Sequence, residues 1–134
     1  MISIEMFGSD IIRIKIKGYL KNNTENELLE FDVNGIKNKN KIVYSCDNVK
    51  YTVKISENEI ILIREGSDFL NTFIFNSRKS KSNYLLKNIN YDVDIDIVTL
   101  SFINMNNTIC IKYRVLDTNC DYEYKIEMSD LLWV

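Results

Sequence analysis

The stretch that decides the fold is IVYSCDNVKYTV, residues 42–53. On each side of Asp47-Asn48, apolar side chains recur at every second position, which is the period of a half-buried β-strand. A two-residue turn at Asp47-Asn48 places each apolar residue opposite another one, on a single face of a hairpin. The stretch therefore predicts an antiparallel hairpin in this register. Its cross-strand pairs are Cys46 with Val49, Tyr44 with Tyr51, and Ile42 with Val53.

The same alternation comes before this hairpin. Isoleucines alternate with basic residues over residues 12–17, which predicts a first strand with one apolar and one basic face. A polar segment, residues 22–27, then leads to a second strand in which apolar and acidic residues alternate from Leu29, ending at Gly35. These two strands extend the hairpin ladder towards the N-terminus.

Further two-residue turns are predicted at Lys87-Asn88, Asn106-Asn107 and Thr118-Asn119, because each keeps apolar side chains on one face. A two-residue turn at Glu57-Asn58 would place Arg64 inside, opposite a tyrosine. A three-residue turn would place Arg64 in solvent, and the apolar run after the turn does not decide between the two. The predicted pairs in the later hairpins include Tyr84 with Tyr91, Lys81 with Asp94, Lys79 with Asp96, Leu100 with Tyr113, Phe102 with Ile111, Val115 with Tyr122, Tyr113 with Tyr124, and Ile111 with Ile126.

One change of phase interrupts the alternation. Apolar residues occupy odd positions up to Ile97 and even positions from Val98, so an extra residue here is predicted to form a β-bulge that bends the strand. A ladder of about eight to ten strands leaves exposed edges unless it closes. We therefore expect an all-β fold, a closed or nearly closed up-and-down antiparallel meander barrel of lipocalin (calycin) type. A two-sheet β-sandwich is the alternative, because alternation alone does not distinguish the two.

The composition limits the class of protein. With 134 residues, 46% of them hydrophobic, the chain is long enough for one core without disulfides or metal. We expect a single domain over residues 1–134, with a core at about 10–128 and a short apolar tail, 129–134, that contains Trp133. A net charge of −2 argues against nucleic-acid binding. The three cysteines form no pair typical of a metal site, so free thiols are expected.

No stretch of the sequence has the pattern of a signal peptide or of a membrane-spanning helix, which needs about 18 apolar residues in a row. We therefore expect a cytoplasmic protein that does not associate with membranes and is a monomer or a homodimer.

Several segments resemble a known family. Ile-Leu-Ile-Arg-Glu-Gly at 61–66, Asn-Thr-Phe-Ile-Phe at 71–75, Tyr84, and the alternating strand over 91–100 are similar to the YwiB-like family of small bacterial proteins. The resemblance covers most of the chain, up to about residue 128. It implies a calycin-type, lipocalin-like β-barrel, in agreement with the register, and it implies no activity. Where the family tends to have a Thr-Pro-Tyr-Gly turn, this chain has Leu-Lys-Asn-Ile at 86–89.

Few patterns in the sequence suggest catalysis. Histidine is absent, so neither a Ser-His nor a Cys-His pair exists, and the four glycines have no nucleotide-binding spacing. We expect no enzymatic activity, no cofactor and no metal. The acidic face of Asp92, Asp94 and Asp96 is interpreted as a solvated outer wall that faces lysines. The basic stripe at 13–17 lacks the interleaved aromatic residues of a nucleic-acid platform.

Tyrosines are the most informative candidates for a site. Seven of the eight tyrosines fall on the apolar face of the predicted strands, and each carries a hydroxyl that needs a hydrogen-bond partner. They either pack a solid core, with hydroxyls at the wet ends of the barrel, or line a lumen that holds one small molecule. If Arg64 also points inward, a carboxylate-bearing ligand is the natural hypothesis. The candidate ligand-binding residues are Arg64, Tyr44, Tyr51, Tyr84, Tyr113 and Tyr124.

We therefore expect non-covalent binding of a small apolar or amphipathic molecule in the barrel lumen. The alternative is an interaction module with a packed core that acts through its outer wall or its C-terminal tail.

Overall fold

In the computed structural model of the protein, residues 11–131 are described, and they form one antiparallel sheet of eleven strands. None of these residues belongs to a helix long and apolar enough to cross a membrane. The strands follow the order β8-β7-β6-β5-β4-β3-β2-β1-β11-β10-β9 across the sheet, so almost all neighbours are also neighbours in sequence. The strands are β1 (Ile11–Asn22), β2 (Glu27–Asn38), β3 (Lys41–Cys46), β4 (Val49–Ile55), β5 (Glu59–Glu65), β6 (Phe69–Asn76), β7 (Lys81–Leu86), β8 (Tyr91–Ile95), β9 (Ile97–Met105), β10 (Thr108–Val115) and β11 (Cys120–Asp130).

The sheet curls so far that its two edge strands, β8 and β9, are consecutive halves of one long bent strand. β8 lies at one end of the strand order and β9 at the other, yet only Asp96 separates them along the chain. The first half of this strand pairs with β7 and the second half with β10. The backbone N–H of Leu116 donates to the Asp96 carbonyl oxygen at 2.9 Å, which continues the β9–β10 pairing up to the bend. Across the seam, the Ser80 and Thr99 hydroxyls are 2.6 Å apart. The result is a nearly closed barrel, which confirms the predicted meander.

The bend lies close to its predicted position. Eleven strands are present, instead of eight to ten, because the long strand is interrupted at Asp96 and counts as two. A register shift follows in the pairing with β10: Tyr113 pairs with Thr99, and the predicted pairing of Leu100 with Tyr113 is wrong. The pairing with β10 skips Leu100, which is therefore the extra residue of the β-bulge. Leu100 and Val98 are exposed, although the alternation predicted that they point inward.

Three hairpins have the predicted register. In the turns 47–48 and 106–107, both residues have positive φ, between 52° and 65°, as two-residue hairpin turns require. The turn at 57–58 pairs Tyr51 with Arg64. Of the two alternatives left open by the sequence, the structure therefore has the one that places Arg64 on the inner face.

Two other hairpins are shifted by two residues from the prediction. Their turns, 87–90 and 116–119, have four residues instead of two. Because side chains alternate with period two, a shift of two changes the partners and keeps the faces. The observed pairs are Tyr84 with Val93, Leu86 with Tyr91, Val115 with Cys120, Tyr113 with Tyr122, Ile111 with Tyr124, and Ile109 with Ile126.

The longer turn at 87–90 overturns two further predictions. Tyr91 keeps the face of Val93 and Ile95, but it lies at the rim and is 53% exposed, so it is not part of the buried interior. Asp94 lies opposite Asn83 and not opposite Lys81. The Asn83 amide Nδ2 donates to Asp92 and Asp94, at 2.5 and 2.9 Å.

Gly18 allows a close approach of chain segments inside the barrel. A Cβ at this position would lie 2.3 Å from the Lys125 carbonyl oxygen and 2.8 Å from the Phe31 ring. The missing side chain thus leaves room for Phe31, which stacks on Tyr44 with ring centroids 5.4 Å apart. β2 itself continues through Gly35 to Asn38, beyond its predicted end.

The barrel interior has two chemically different ends. We define the polar end as the one closed by five turns, and the hydrocarbon end as the one closed by the other four. At the hydrocarbon end, aliphatic and phenylalanine side chains are fully buried against one another. The turns of the polar end are 23–26, 47–48, 66–68, 87–90 and 116–119; those of the hydrocarbon end are 39–40, 57–58, 77–80 and 106–107. The fully buried side chains at the hydrocarbon end are Ile16, Ile42, Val53, Ile60, Phe75, Ile109 and Ile126.

Candidate functional site

The six predicted site residues all lie in the half of the strands that leads to the polar end. Hairpin geometry places them there: Tyr44 precedes the turn 47–48 by a few residues, Tyr51 follows it, and Arg64 precedes the turn 66–68. Their side chains point inward because they share the face of the buried residues on the same strands. The polar end is therefore the candidate site.

A stack of aromatic rings forms the inner limit of this site. The Tyr44 and Tyr51 rings are parallel, with centroids 4.8 Å apart, and Phe31 lies against both. The Tyr44 hydroxyl is 2.5 Å from the Tyr124 hydroxyl. Both of these hydroxyls are buried, and one of them donates a hydrogen bond to the other.

Burial raises the pKa of three tyrosines well above the ordinary value. Loss of solvation is the largest cause for Tyr44, Tyr113 and Tyr124 alike, because a phenolate is costly to place in a low-dielectric interior. Arg64 acts in the opposite direction and lowers the pKa of Tyr113 and Tyr124 by a smaller amount. All three phenols are therefore neutral near pH 7 and able to donate hydrogen bonds.

Arg64 is held between two aromatic rings. Its guanidinium carbon lies 5.6 Å from the centroid of Tyr51 and 5.7 Å from that of Phe69. Nη1 donates to Asn71 Oδ1 at 3.2 Å, and Asn71 Nδ2 in turn donates to the Asn83 carbonyl oxygen at 3.0 Å. Asn71 is only 3% exposed, which makes it a rigid support for the guanidinium.

The charge of Arg64 is incompletely satisfied. Its Nε is buried and has no hydrogen-bond partner among residues 11–131. Arg64 also forms no ion pair with any carboxylate of residues 11–131. A half-buried guanidinium normally pairs with an anion or with several acceptors. The site therefore offers a cation with unused hydrogen-bonding capacity.

Tyr84 and Tyr113 are linked to this centre through other rings. Tyr84 stacks on Phe69 with centroids 5.7 Å apart, and Tyr113 stacks on Tyr122 at 5.3 Å. Within residues 11–131, no hydrogen bond to another residue is made by the hydroxyls of Tyr51, Tyr84, Tyr113 or Tyr122. Of these four tyrosines, Tyr51 lies against Arg64 and Tyr113 is close enough for the guanidinium to lower its pKa, so two hydroxyls without a partner in residues 11–131 belong to rings near the guanidinium.

Sequence reasoning missed two residues of the site, Phe69 and Asn71. Both lie opposite the Arg64 strand, in the hairpin between β5 and β6. Asn71 shares the inward face with two buried phenylalanines of β6, so alternation alone could have indicated it. Phe69 was harder to find, because it follows the turn 66–68, whose length the sequence does not reveal.

The outer wall carries two open depressions, and several of the polar groups that line the first one are paired. A depression of about 460 Å³ surrounds Lys17 and Tyr19, and another of about 300 Å³ lies along β7 and β8. The Tyr19 hydroxyl donates to Glu123, which lowers the pKa of that carboxyl. Lys125 lies 3.9 Å from Glu127. Within residues 11–131, the buried side-chain nitrogen without a hydrogen-bond partner belongs to Arg64 at the polar end and not to these depressions.

Metal binding finds no support among the described residues. Over residues 11–131, no three His, Cys, Asp or Glu side chains come together in a way that could hold a metal ion. Trp133, in the predicted C-terminal tail, lies outside the described residues.

Comparison with known proteins shows the fold. The chain is similar to the YwiB protein from Bacillus subtilis, whose crystal structure is known, with a TM-score of 0.66 and 19% sequence identity. The match covers 92% of this chain and 93% of that chain. No family model matches the sequence, and no curated protein matches it. The resemblance to YwiB inferred from the residues is thus confirmed at the level of structure.

Proposed function

We propose that this barrel, whose fold is that of YwiB, binds a small amphipathic molecule non-covalently, and that an acidic group of the ligand pairs with Arg64. The site is the polar end of the lumen. The protein acts in this proposal by holding the molecule and not by transforming it, since the site contains neither an activated nucleophile nor a base of near-neutral pKa.

The observation that carries this proposal is the unpaired Arg64. A guanidinium has five N–H donors in a planar fork that matches a carboxylate. In this protein one donor binds Asn71, and the buried Nε has no hydrogen-bond partner within residues 11–131. The rings of Tyr51 and Phe69 lie against the guanidinium, and rings that contact a guanidinium face do not use its in-plane N–H groups. A bound carboxylate would satisfy both the charge and the orphaned N–H.

The surrounding tyrosines support an acceptor-rich ligand. Their hydroxyls remain protonated because burial raises the pKa of Tyr113, and of the Tyr44–Tyr124 pair, above the ordinary value. A neutral phenol donates to a carboxylate without repelling it. Tyr51 and Tyr113, whose hydroxyls have no partner in residues 11–131, are the nearest candidates for this role.

Native mass spectrometry tests the proposal. The protein is purified from its own host, and its mass under native conditions is compared with its mass after denaturation. We expect a stoichiometric excess that disappears on denaturation and that is lost in Arg64→Gln. Arg78→Gln, in an exposed turn, is the matched control and should keep the excess. A bare chain mass in the wild type, or an excess that survives Arg64→Gln, contradicts the proposal.

A second candidate function is protein–protein interaction through β9. This strand lies at the end of the strand order and exposes an apolar stripe of Val98, Leu100, Ile103 and Met105 on the outer wall. Exposed apolar edge strands are places where another chain pairs. Sedimentation velocity of the wild type and of Ile103→Lys tests it: an assembly that dissociates in the variant supports this function, and a monomer in both contradicts self-association.

A further inference from the structure

We infer that the ligand is a straight-chain monocarboxylate that binds head first, with its carboxylate at Arg64 and its hydrocarbon chain in a cavity at the rim of the polar end. This inference rests on the proposed function and adds to it the class and the orientation of the ligand. In this orientation the hydrocarbon tail of the ligand stays near the rim and does not enter the depth of the barrel.

The depth of this barrel is already filled. Beyond the Tyr44–Tyr124 hydroxyl pair, the interior is the hydrocarbon end, where Ile16, Ile42 and Val53 are fully buried. Protein interiors pack at the density of organic crystals, so an inserted chain would have to displace these side chains. The tyrosine pair therefore marks the inner limit that a ligand reaches, and its hydrocarbon part must lie on the outer side.

A cavity of suitable chemistry lies on that side. It has a volume of about 230 Å³, and Leu20, Leu28 and Leu29 supply its apolar lining, together with the ring of Tyr122. Leu29 faces Leu20 across β1 and β2 and is 41% exposed, although it lies on the inward face of its strand. A short hydrocarbon chain would cover this leucine.

A row of neighbouring side chains links the wall of the cavity to the Arg64 site. Leu20 is the cross-strand partner of Tyr124, whose hydroxyl contacts that of Tyr44. Tyr122, in the cavity wall, stacks on Tyr113. Tyr113 and Tyr124 are both close enough to Arg64 for the guanidinium to lower their pKa values. A molecule with a head at Arg64 can thus extend along these rings to the leucines.

The charges around the cavity favour a single negative charge on the ligand. The inner site contributes one guanidinium, and the phenols beside it are neutral. At the rim, Glu27 lines the cavity, and Glu25 accepts a hydrogen bond from Asn22 at 3.2 Å. These two carboxylates lie close enough to Tyr122 to raise its pKa, after the larger effect of burial. A phosphate with two charges would meet more repulsion here than a carboxylate does.

Isothermal titration calorimetry with four probes tests the inference: octanoate, acetate, octanol and octyl phosphate. Because each buried methylene strengthens binding by up to about fourfold, octanoate should bind at least about a hundredfold more tightly than acetate. It should also bind more tightly than octanol and octyl phosphate. Arg64→Gln should weaken octanoate binding by about ten- to a hundredfold, since it removes a charged hydrogen bond. Leu29→Gln should weaken it by about three- to tenfold.

Ile36→Gln provides a matched control, because this isoleucine of β2 is as exposed as Leu29 but lies on the opposite, outward face of the strand. It should change octanoate binding by less than about twofold. Methyl NMR of the folded protein locates the chain: octanoate should shift the Leu20 and Leu29 methyl signals and leave those of Ile16 and Ile42 in place. Shifts of the Ile16 and Ile42 methyls would place the tail in the depth of the barrel and overturn the inference.

The outcomes separate the inference from the proposed function. If acetate and octanoate bind equally tightly and both need Arg64, the anion site is supported and the hydrocarbon cavity is overturned. If octanol and octanoate bind equally tightly and Arg64→Gln weakens neither, the proposed function itself is overturned. Tighter binding of octyl phosphate overturns the monoanion class. Absence of binding by all four probes overturns this inference, while native mass spectrometry decides the proposed function independently.

Discussion

The two ends of the barrel interior are made by the same strands and differ in almost every physical property. On β4, Val53 is fully buried among aliphatic side chains, whereas Tyr51, two residues earlier, stacks on Tyr44 beside a guanidinium. At the hydrocarbon end, no buried side-chain nitrogen or oxygen of the described residues lacks a hydrogen-bond partner. The polar end leaves a buried Nε and several hydroxyls without protein partners among the described residues.

This difference indicates a division of labour within one core. Burial of apolar area is the main favourable term in folding, so the hydrocarbon end should supply most of the stability. Unsatisfied buried donors cost stability, and proteins retain them mainly where function requires them. The polar end should therefore matter less to folding and more to binding.

The largest effect is expected at the hydrocarbon end. Phe75→Ala removes a fully buried ring and should lower the free energy of unfolding by about 3–5 kcal/mol, because it leaves a cavity in a close-packed region. Urea denaturation followed by circular dichroism measures this loss. Ile103→Ala, at an exposed position, should change it by less than about 0.5 kcal/mol. A loss below about 1 kcal/mol in Phe75→Ala would show that this end is not the stabilising half.

Alkaline pH should destabilise the polar end next. Burial raises the pKa of Tyr44, Tyr113 and Tyr124 in the folded protein, while the same tyrosines titrate near about 10 in the unfolded chain. Above about pH 10 the unfolded state therefore binds fewer protons, and stability falls as pH rises. Each of the three tyrosines contributes about 1.4 kcal/mol per pH unit.

This stability should be fully present below about pH 9. Urea denaturation between pH 8 and 11, together with phenolate absorbance, measures the effect. Ionisation of all tyrosines near pH 10 without loss of structure would contradict the burial of these hydroxyls.

The buried hydroxyl pair gives a smaller and more specific test. Tyr44→Phe leaves the Tyr124 hydroxyl buried without its partner and should cost about 1–3 kcal/mol of unfolding free energy. The double variant Tyr44→Phe/Tyr124→Phe removes both hydroxyls and should cost less than the sum of the two single changes. Denaturation of all four proteins completes the cycle. Additive costs would show that the two hydroxyls do not interact.

The smallest change in stability is expected at Arg64, where the loss of binding is expected to be greatest. Arg64→Leu removes a hydrogen bond to Asn71 and the contact with two rings, but it also removes an unsatisfied buried N–H. These effects oppose each other, so the unfolding free energy of the ligand-free protein should change by about 1 kcal/mol or less. A loss of more than about 3 kcal/mol would identify Arg64 as a structural residue and remove the contrast between the two ends.

The hairpins show where prediction from sequence succeeds. Registers at 47–48 and 106–107 are correct because Asp and Asn adopt the positive φ that a two-residue turn needs. Registers at 87–90 and 116–119 are wrong by two because a four-residue turn leaves the same inward faces. Apolar alternation does not distinguish a two-residue turn from a four-residue turn. The face on which each residue lies was therefore predictable, and its cross-strand partner was not.

The candidate site was predictable to a similar extent. Alternation alone indicated that Tyr44, Tyr51, Tyr113 and Tyr124 point inward. It did not reveal that Tyr91 lies too close to a rim to be covered. It could not place Arg64, because both faces of that strand are apolar.

By itself, the sequence determined a meander of antiparallel strands, a bend near residue 97 and an interior rich in tyrosine. These follow from local properties, the period of two and the chemistry of short turns, which act between neighbours in the chain. Only the tertiary structure decided that Arg64 faces inward, that Asn71 and Phe69 hold it, and that polar and hydrocarbon side chains occupy opposite ends. The first two depend on the lengths of the turns 57–58 and 66–68, which the apolar runs beside them do not reveal. The last depends on which strands meet when the sheet closes at Asp96, a long-range arrangement that no local pattern encodes.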